Sequence, residues 1–408
     1  MSHSRRLVAE GHLIDSGLMS KYLAIVVENG GTYELLKFDI GRTVSDFSRA
    51  EMIVNAEEPE RLARILENLT ALGCHPIDEN ETIVLKPSPQ DGTVPDDFYS
   101  TTNHKTRIFH GGRWLDVAEQ RMDAVIVVTS GGARCVKLRD VKAGDRVVTG
   151  LGGVQVFPPF RERDRGDFVF MNNEVSSERR VELAVAQLAE AMRGIRARAG
   201  RVIAVPGPVV VHTGGGAHLG RLIRGGYVQG VLSGNALGVH DVEAALLDTS
   251  LGVDVRTGIP VEEGHRNHMR AINAIRRAGS LKAAVEQGVL TSGLMHDCIR
   301  HGVDLALAGS IRDDGPLPDT IMDMTLAQER YAGILRGSDL VLILGTMLHG
   351  IGVGNMTPSW VRTVCVDINP AVVTKLVDRG SAQASGIVTD VGLFLRLLAD
   401  ELEGTRAA

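Results

Sequence analysis

The chain has 408 residues, a net charge of −6 and four cysteines, with hydrophobic residues at 44% and aromatics at 4%. A chain of this length exceeds what one hydrophobic core usually serves, so two or three domains are expected. The acidic balance and the lack of a long Lys/Arg run argue against a nucleic-acid surface. No apolar run reaches the ~20 residues of a membrane span, and the opening Met-Ser-His-Ser-Arg-Arg leads into no signal-peptide core, which predicts a cytoplasmic protein.

Along the chain, Ala50–Val54 is a short strand-type run. Pro59 opens a helix carrying Leu62, Ile65, Leu66, Leu69 and Leu72 at helical spacing, and Gly73 stops it. Residues 1–100 are thus expected to form a small ferredoxin-like or regulatory α+β domain. Residues 101–168 read as a β-rich subdomain: Gly111-Gly112 marks a hairpin, and Ala124–Val128, Ala133–Leu138 and Arg146–Val148 are short strands. Pro158-Pro159 and the charged Arg161–Asp167 read as the linker.

Residues 169–408 alternate strand and helix. A helix over 176–196 has Ser176 or Ser177 as its cap. Strand-type runs Arg201–Val205 and Val209–Val211 flank Pro206-Gly207-Pro208, and a glycine cluster, His212–Gly216, precedes a helix over His218–Ile223. Further strands are Val228–Leu232, Leu305–Ala308, Leu340–Leu344, Val361–Asp367 and Gly386–Thr389. Further helices are Ala271–Ala278, Leu281–Gln287 and Leu326–Leu335. This alternation predicts an α/β fold with a parallel sheet. The 47 glycines suit its many tight turns.

Polar residues collect just past the carboxyl ends of these strands, where open α/β sheets bind ligands. Asp367 ends a strand and can accept two ribose hydroxyls or serve as a helix cap before Pro370. The run Thr346-Met347-Leu348-His349 leads into Gly350, Gly352 and Gly354, whose amides in a turn could hold a pyrophosphate. Neither this spacing nor Gly214, Gly216 and Gly220 fits G-x-G-x-x-G, so a phosphate cradle, a cofactor clamp and a tight turn all stay open. Asn235 suits a nicotinamide carboxamide or a ribose. His240 is either a general base or, with Asp241, part of a solvated helix start. Arg312 lies beside Asp313 and Asp314, which in an extended loop point to opposite sides. Glu263, His265 and His268 lack the spacing and third ligand of a metal site, so no metal is expected. The cysteines, without a C-x-x-C pair, read as reduced and partly buried, and a catalytic thiol at Cys298 has little support.

Several of these stretches together resemble a family. Gly-Asn-Ala-Leu-Gly-Val-His-Asp (234–241), Gly-His-Arg-Asn-His (264–268), Ala-Gly-Ser-Ile-Arg-Asp-Asp-Gly-Pro-Leu-Pro-Asp (308–319), Thr-Met-Leu-His (346–349), Val-Asp-Ile-Asn-Pro (366–370) and Val-Thr-Asp-Val (388–391) are similar to the archaeal-type ornithine cyclodeaminases. They equally resemble the C-terminal part of the cyanobacterial arginine dihydrolase–ornithine cyclodeaminases. The first ~100 residues, a domain-length segment, resemble the region shared with lysine-ketoglutarate reductase/saccharopine dehydrogenase.

The resemblance implies an NAD-binding domain of the deoxyhypusine-synthase-like type over 169–408, preceded by the small α+β domain and the β-rich subdomain. It implies NAD contacts at Asn235, Ala236, Asp314, Thr346, Met347, Leu348, His349, Asp367, Asp390 and Val391. It also implies conversion of L-ornithine to L-proline and ammonia by redox-neutral hydride transfer, with no arginine hydrolysis because no dihydrolase segment is present. Residue chemistry suggests Arg312, Asp313, His240 and His265 for the catalytic roles: a cation for the carboxylate and groups to exchange protons with the amines. Rival readings are an NAD-dependent amino-acid or saccharopine-type dehydrogenase and a non-catalytic NAD/amino-acid sensor. A homo-oligomer is expected on general grounds.

Overall fold

The computed structural model describes residues 3–14, 16–42, 46–77, 82–158, 177–250, 253–254, 266–313, 315–379 and 384–404. The chain divides into two compact units, residues 1–166 with 358–360, and residues 167–357 with 361–408.

In the first unit, a four-stranded antiparallel sheet runs in the order Thr32–Asp39, Ser48–Ala56, His3–Gly11, Cys74–Pro76. Helices Leu18–Glu28 and Pro59–Ala71 follow the first and third strands in the chain. Strict alternation in Ser48–Ala56 buries Ala50, Met52, Val54 and Ala56 against Tyr22, Val26, Ile65 and Leu69 of the helices. This βαββαβ arrangement is ferredoxin-like. The second helix begins at Pro59 and gives way to Gly73 at φ +90°, a conformation that favours glycine.

A seven-stranded β sheet follows. Lys105–His110 and Arg113–Ala118 form its hairpin, turned by Gly111 and Gly112, both at positive φ. Val125–Thr129, Gly132–Val136, Arg146–Thr149 and Val154–Phe157 join it. Val84–Pro87, from within the first hundred residues, also pairs into this sheet, against Arg146–Thr149. The linker expected at Arg161–Asp167 lies outside the described residues, as does Ser176.

The second unit is built on a seven-stranded parallel sheet. Its order is Thr320–Ile321, Asp304–Ala308, Gly230–Gly234, Val202–Pro206, Leu340–Leu344, Arg362–Asp367, Ala384–Val388. Both faces are covered. Val202, Ala204, Leu340, Leu342 and Leu344 pack with helices Ser177–Ala197, Gly215–Arg224, Asn235–Leu247 and Val391–Glu403. Ile203, Val205, Val341 and Ile343 pack with Met324–Leu335, Leu348–Met356 and Pro370–Arg379. Burial on both faces explains why these strands read as continuous apolar runs. One strand-type reading is corrected: Val209–His212 is a single helical turn. Three β-branched valines are overruled by the loop they sit in, where Val210 and Val211 donate back to Gly207 and Pro208.

Candidate active site

The chain enters the parallel sheet at Val202–Pro206, builds outward on one side, then returns to lay Leu340–Leu344 on the other. The carboxyl ends of these two strands form the topological switch point, the expected ligand crevice of a doubly wound sheet. Their loops meet closely. Gly207 N–H donates to Leu344 O at 2.8 Å, and a Cβ on Gly207 would collide with Gly345 O. Gly345 stands at φ +61°, and a Cβ there would collide with Val209. Glycine is required at both positions by contact, without a G-x-G-x-x-G pattern.

Past Gly345, Leu348–Met356 is a helix, with Met347 at its cap position. Gly350, Gly352 and Gly354 therefore lie inside a helix, and reading them as a phosphate-holding turn is corrected. The free amides are those of the first turn, at Leu348, His349 and Gly350. Gly216 and Gly220 likewise lie within the helix Gly215–Arg224, and a Cβ on Gly220 would collide with Asp297. Thr346 Oγ1 is 3.4 Å from His349 Nδ1. The His349 ring lies against Gly234, and burial lowers its pKa, so it is neutral at neutral pH.

Asp367 ends Arg362–Asp367, and its Oδ1 accepts from Asn369 N–H at 2.8 Å. The next helix is capped by Asn369, whose Oδ1 accepts from Ala371 N–H. Asp367 Oδ2 meets no hydrogen-bond partner among the described residues and is open to a ligand. Asp390, by contrast, caps the last helix by accepting from Leu393 N–H, and Val391 is buried behind it.

Asn235 and Asp313 meet across the neighbouring loops. Asn235 Nδ2 donates to Asp313 Oδ1 at 2.9 Å, while its Oδ1 accepts from Leu317 N–H and Thr320 Oγ1. Asp313 Oδ2 also takes Ser310 N–H. Both side chains thus hold the loop in shape. Ala236 and Arg312 are exposed beside them. Asp314 and His265 lie outside the described residues.

His240, on the helix Asn235–Leu247, belongs to a different polar group. Its ring centroid is 4.9 Å from that of His212, and its Nδ1 is 3.8 Å from Glu243 Oε2. Glu243 is 0% exposed and accepts from Thr249 Oγ1 at 2.8 Å. Thr249 in turn accepts from Asn267 Nδ2, and His212 Nδ1 lies 3.1 Å from Ser250 Oγ. Partial desolvation, followed by the neighbouring His240, lowers the His212 pKa, although the residue as a whole is exposed. No hydrogen bond joins the three: His240 Nδ1 is buried and has no hydrogen-bond partner among the described residues, so an exposed imidazole, a second imidazole and a fully buried carboxyl group stand together as one polar cluster. His212 and Glu243 were missed in the sequence, where a Glu on a helix reads as a solvated face. The available signal was the i, i+3 spacing of His240 and Glu243.

The solvated reading of Asp241 is corrected. It is buried and accepts from Leu294 and Met295 N–H, anchoring the helix Leu294–Arg300. Burial outweighs those two bonds and raises its pKa to about 6. Cys298 is fully buried, and burial pushes its thiol well above the ordinary value, which makes it a poor nucleophile.

Family models match consecutive segments of the chain. These are the LOR/SDH bifunctional enzyme conserved region over residues 4–104, the ArgZ-like C-terminal first region over 105–185, and the ArgZ-like C-terminal Rossmann fold over 186–398. An ornithine cyclodeaminase of Methanocaldococcus jannaschii is 49% identical, covering 98% of this chain and 96% of that protein. The apo structure of ArgZ, an arginine dihydrolase from the cyanobacterial ornithine-ammonia cycle, matches at TM-score 0.87 and 46% identity, covering 99% of this chain and 59% of that one. A ternary complex of AgrE with ornithine and NAD+ matches at TM-score 0.55 and 48% identity, over 99% and 58%. The chain spans 58% of the curated bifunctional enzymes AgrE and ArgZ. The chain belongs to the ArgZ-like C-terminal, Rossmann-fold family, whose archaeal members of matching length carry the name ornithine cyclodeaminase.

Proposed function

We propose that this protein converts L-ornithine to L-proline and ammonia with the help of bound NAD. The observation that carries this reading is the clustering of His212 and His240 beside the buried Glu243, in the same unit as a switch-point crevice suited to a dinucleotide. The archaeal relatives of matching length support the activity, and the AgrE complex with ornithine and NAD+ supports the cofactor and the substrate class.

When bound, NAD supplies a hydride acceptor for the substrate α-carbon and returns the hydride after ring closure, so the reaction is redox-neutral. Between those events the δ-amine attacks the α-carbon, the bond to the α-nitrogen breaks, and ammonia leaves with a cyclic imine behind. The attacking amine must first lose a proton. His240 is assigned that proton, with Glu243, 3.8 Å away, stabilising the imidazolium. Arg312 is assigned the substrate carboxylate, and Asp313 and His265 remain candidates for the ammonium groups. Asp367 is assigned the ribose hydroxyls, which disfavours a 2′-phosphate and selects NAD over NADP. The first-turn amides at Leu348 and His349, with Thr346 and Met347, are assigned the pyrophosphate. Ala236, Asp314, Asp390 and Val391 are further NAD contacts by family resemblance, with Asn235 shaping the loop between them.

We also assign the NAD-binding unit to the deoxyhypusine-synthase-like type, supported by Pro206-Gly207-Pro208 standing where a G-x-G-x-x-G would open. A cytoplasmic homo-oligomer completes the reading. No helix among the described residues is long and apolar enough to cross a membrane. Met322, Met324, Leu326, Met347, Leu348 and Ile368 are exposed at or just past the carboxyl ends of the strands, an apolar rim suited to a partner surface.

The test is to incubate the purified protein with L-ornithine and catalytic NAD+, assaying proline and ammonia while following NADH absorbance. Equal proline and ammonia without NADH accumulation are expected. Accumulating NADH would assign a dehydrogenase, and NAD binding without turnover would assign a sensor.

A further inference from the structure

The first unit contains a cavity of about 570 Å³, within the size range of small-molecule sites. Its wall comes from both sheets of that unit, with Glu10, Arg49 and His75 from one and Arg107, Trp114 and Phe157 from the other. None of its lining residues belongs to the parallel-sheet unit.

Strand register explains why Arg107 is held. Gln155 lies directly opposite it on one neighbouring strand and Asp116 on the other. Directly opposed residues share a sheet face, as do residues two apart, so Trp114 and Phe157 stand diagonally beside it on that face. The guanidinium carbon is 4.6 Å from the Trp114 ring centroid and 4.8 Å from that of Phe157. Its Nε donates to Gln155 Oε1 at 2.8 Å. Asp116, the nearby carboxylate, pairs with Lys105 instead. Among the described residues no carboxylate meets the terminal amino groups of Arg107. An Arg fixed by two rings and one amide, with its fork open, is pre-organised for a planar carboxylate.

The other sheet supplies complementary chemistry. His75 Nε2 donates to Val156 O at 3.2 Å, which leaves Nδ1 as an acceptor. That Nδ1 is buried and has no hydrogen-bond partner among the described residues. Burial holds the imidazole neutral. Glu10 adds a carboxylate and Arg49, 3.8 Å from it and also paired with Glu51, a second cation, so the lining carries both signs. A zwitterion fits such a lining better than a simple cation or an apolar ligand.

We propose that this cavity is a second small-molecule site, which binds a free α-amino acid through its carboxylate on Arg107 and its ammonium toward Glu10, beside the neutral His75. The assignment does not rest on the ornithine reaction proposed for the parallel-sheet unit.

The chain has two tryptophans, and Trp114 lies at the site. Trp360→Phe therefore makes Trp114 the single reporter in the full-length protein. Its fluorescence is titrated with the protein amino acids and L-ornithine, with putrescine as the decarboxylated control, and with inorganic phosphate. A saturable change is expected with at least one amino acid and none with putrescine. Arg107→Lys in this background, which keeps the charge but loses the fork, should weaken the response at least about tenfold. No saturable change up to about 10 mM would overturn the proposal. So would an equal response to phosphate, or an unaltered response in the Arg107→Lys chain. Should Arg107→Lys impair folding, hydrogen exchange of the unsubstituted chain gives a second measurement. Added amino acid must then protect the amides of Lys105–His110 and Val154–Phe157, and unchanged exchange overturns the site. These readouts involve no turnover, so a chain that makes proline but fails them refutes this proposal alone.

Discussion

Two polar groups in the parallel-sheet unit differ in how they end. The group at Asn235 is closed. Asn235, Asp313, Leu317 N–H, Thr320 and Ser310 N–H satisfy one another, and every carboxamide atom of Asn235 takes part. The group at His240 is open. It begins at an exposed imidazole, passes a second one, and ends on a buried carboxylate held by Thr249. A closed group has its bonding committed to the folded state, and only spare lone pairs, as on the Asp313 carboxylate, remain for a ligand. An open one keeps a donor or acceptor uncommitted, as at His240 Nδ1, which has no hydrogen-bond partner among the described residues.

The largest effect should come from breaking the open group. His240→Asn is expected to lower kcat by about 10²–10⁴-fold, the usual range for loss of a positioned acid or base. The melting temperature and NAD affinity should stay close to the original. Steady-state proline formation, with NAD binding followed by protein fluorescence, checks both. Unchanged turnover would place the His240 group with the closed one, as structure alone. Breaking the closed group should give the opposite pattern. Asn235→Ala removes three hydrogen bonds in a buried setting, at about 1 kcal/mol each, and should cost about 3 kcal/mol in a denaturant melt. Full stability with lost NAD affinity would instead make Asn235 a ligand contact.

Asp241 offers a smaller, pH-dependent effect. Its folded pKa, about 6, lies above the ~3.9 of an unfolded Asp. The folded state therefore holds this proton more tightly. The associated stability is fully present below about pH 4, is lost as pH rises toward 6, and stays constant above. The buried His75 and the half-buried His349, whose pKa values are lowered, act in the opposite sense as pH falls. The informative quantity is thus the difference between the original chain and Asp241→Asn. Over pH 4–6 the original should lose roughly 2–3 kcal/mol relative to the variant, measured by denaturant melts at fixed ionic strength. A flat difference would mean that the two amide bonds from Leu294 and Met295 balance burial, and a reversed slope that they outweigh it.

The comparison also shows what was legible in the sequence. The parallel strands were, because burial on both faces leaves unbroken runs such as Leu340–Leu344, and so was Asp367 at the tip of one of them. The helix Leu348–Met356 was not. Its three glycines argue for a turn locally, and Gly350 is accepted because its bare face packs against Ile343 and Leu376. His240 and Asn235 stood out as residue types on one helix, yet nothing local distinguished an open group from a closed one. That distinction depends on Thr249, Asn267, Asp313 and Thr320, which only the fold brings near.

Asp367 gives the smallest and most discriminating effect, because it is half closed and half open. Oδ1 is committed to Asn369 N–H, and Asn369 rather than Asp367 caps the following helix. Replacing Asp367 by Asn keeps an oxygen for that bond and removes only the charge, so the local turn should survive. A carboxylate that holds ribose hydroxyls contributes about 1.5–3 kcal/mol when charged, and the neutral amide retains part of it. NAD affinity should therefore fall by roughly tenfold. The same change removes repulsion against a 2′-phosphate, so the NAD-to-NADP preference should narrow by more than the loss in NAD affinity alone. Isothermal titration with both dinucleotides separates these terms. If NAD weakens and NADP weakens equally, Asp367 acts only by shaping the turn, and its open oxygen faces no ribose.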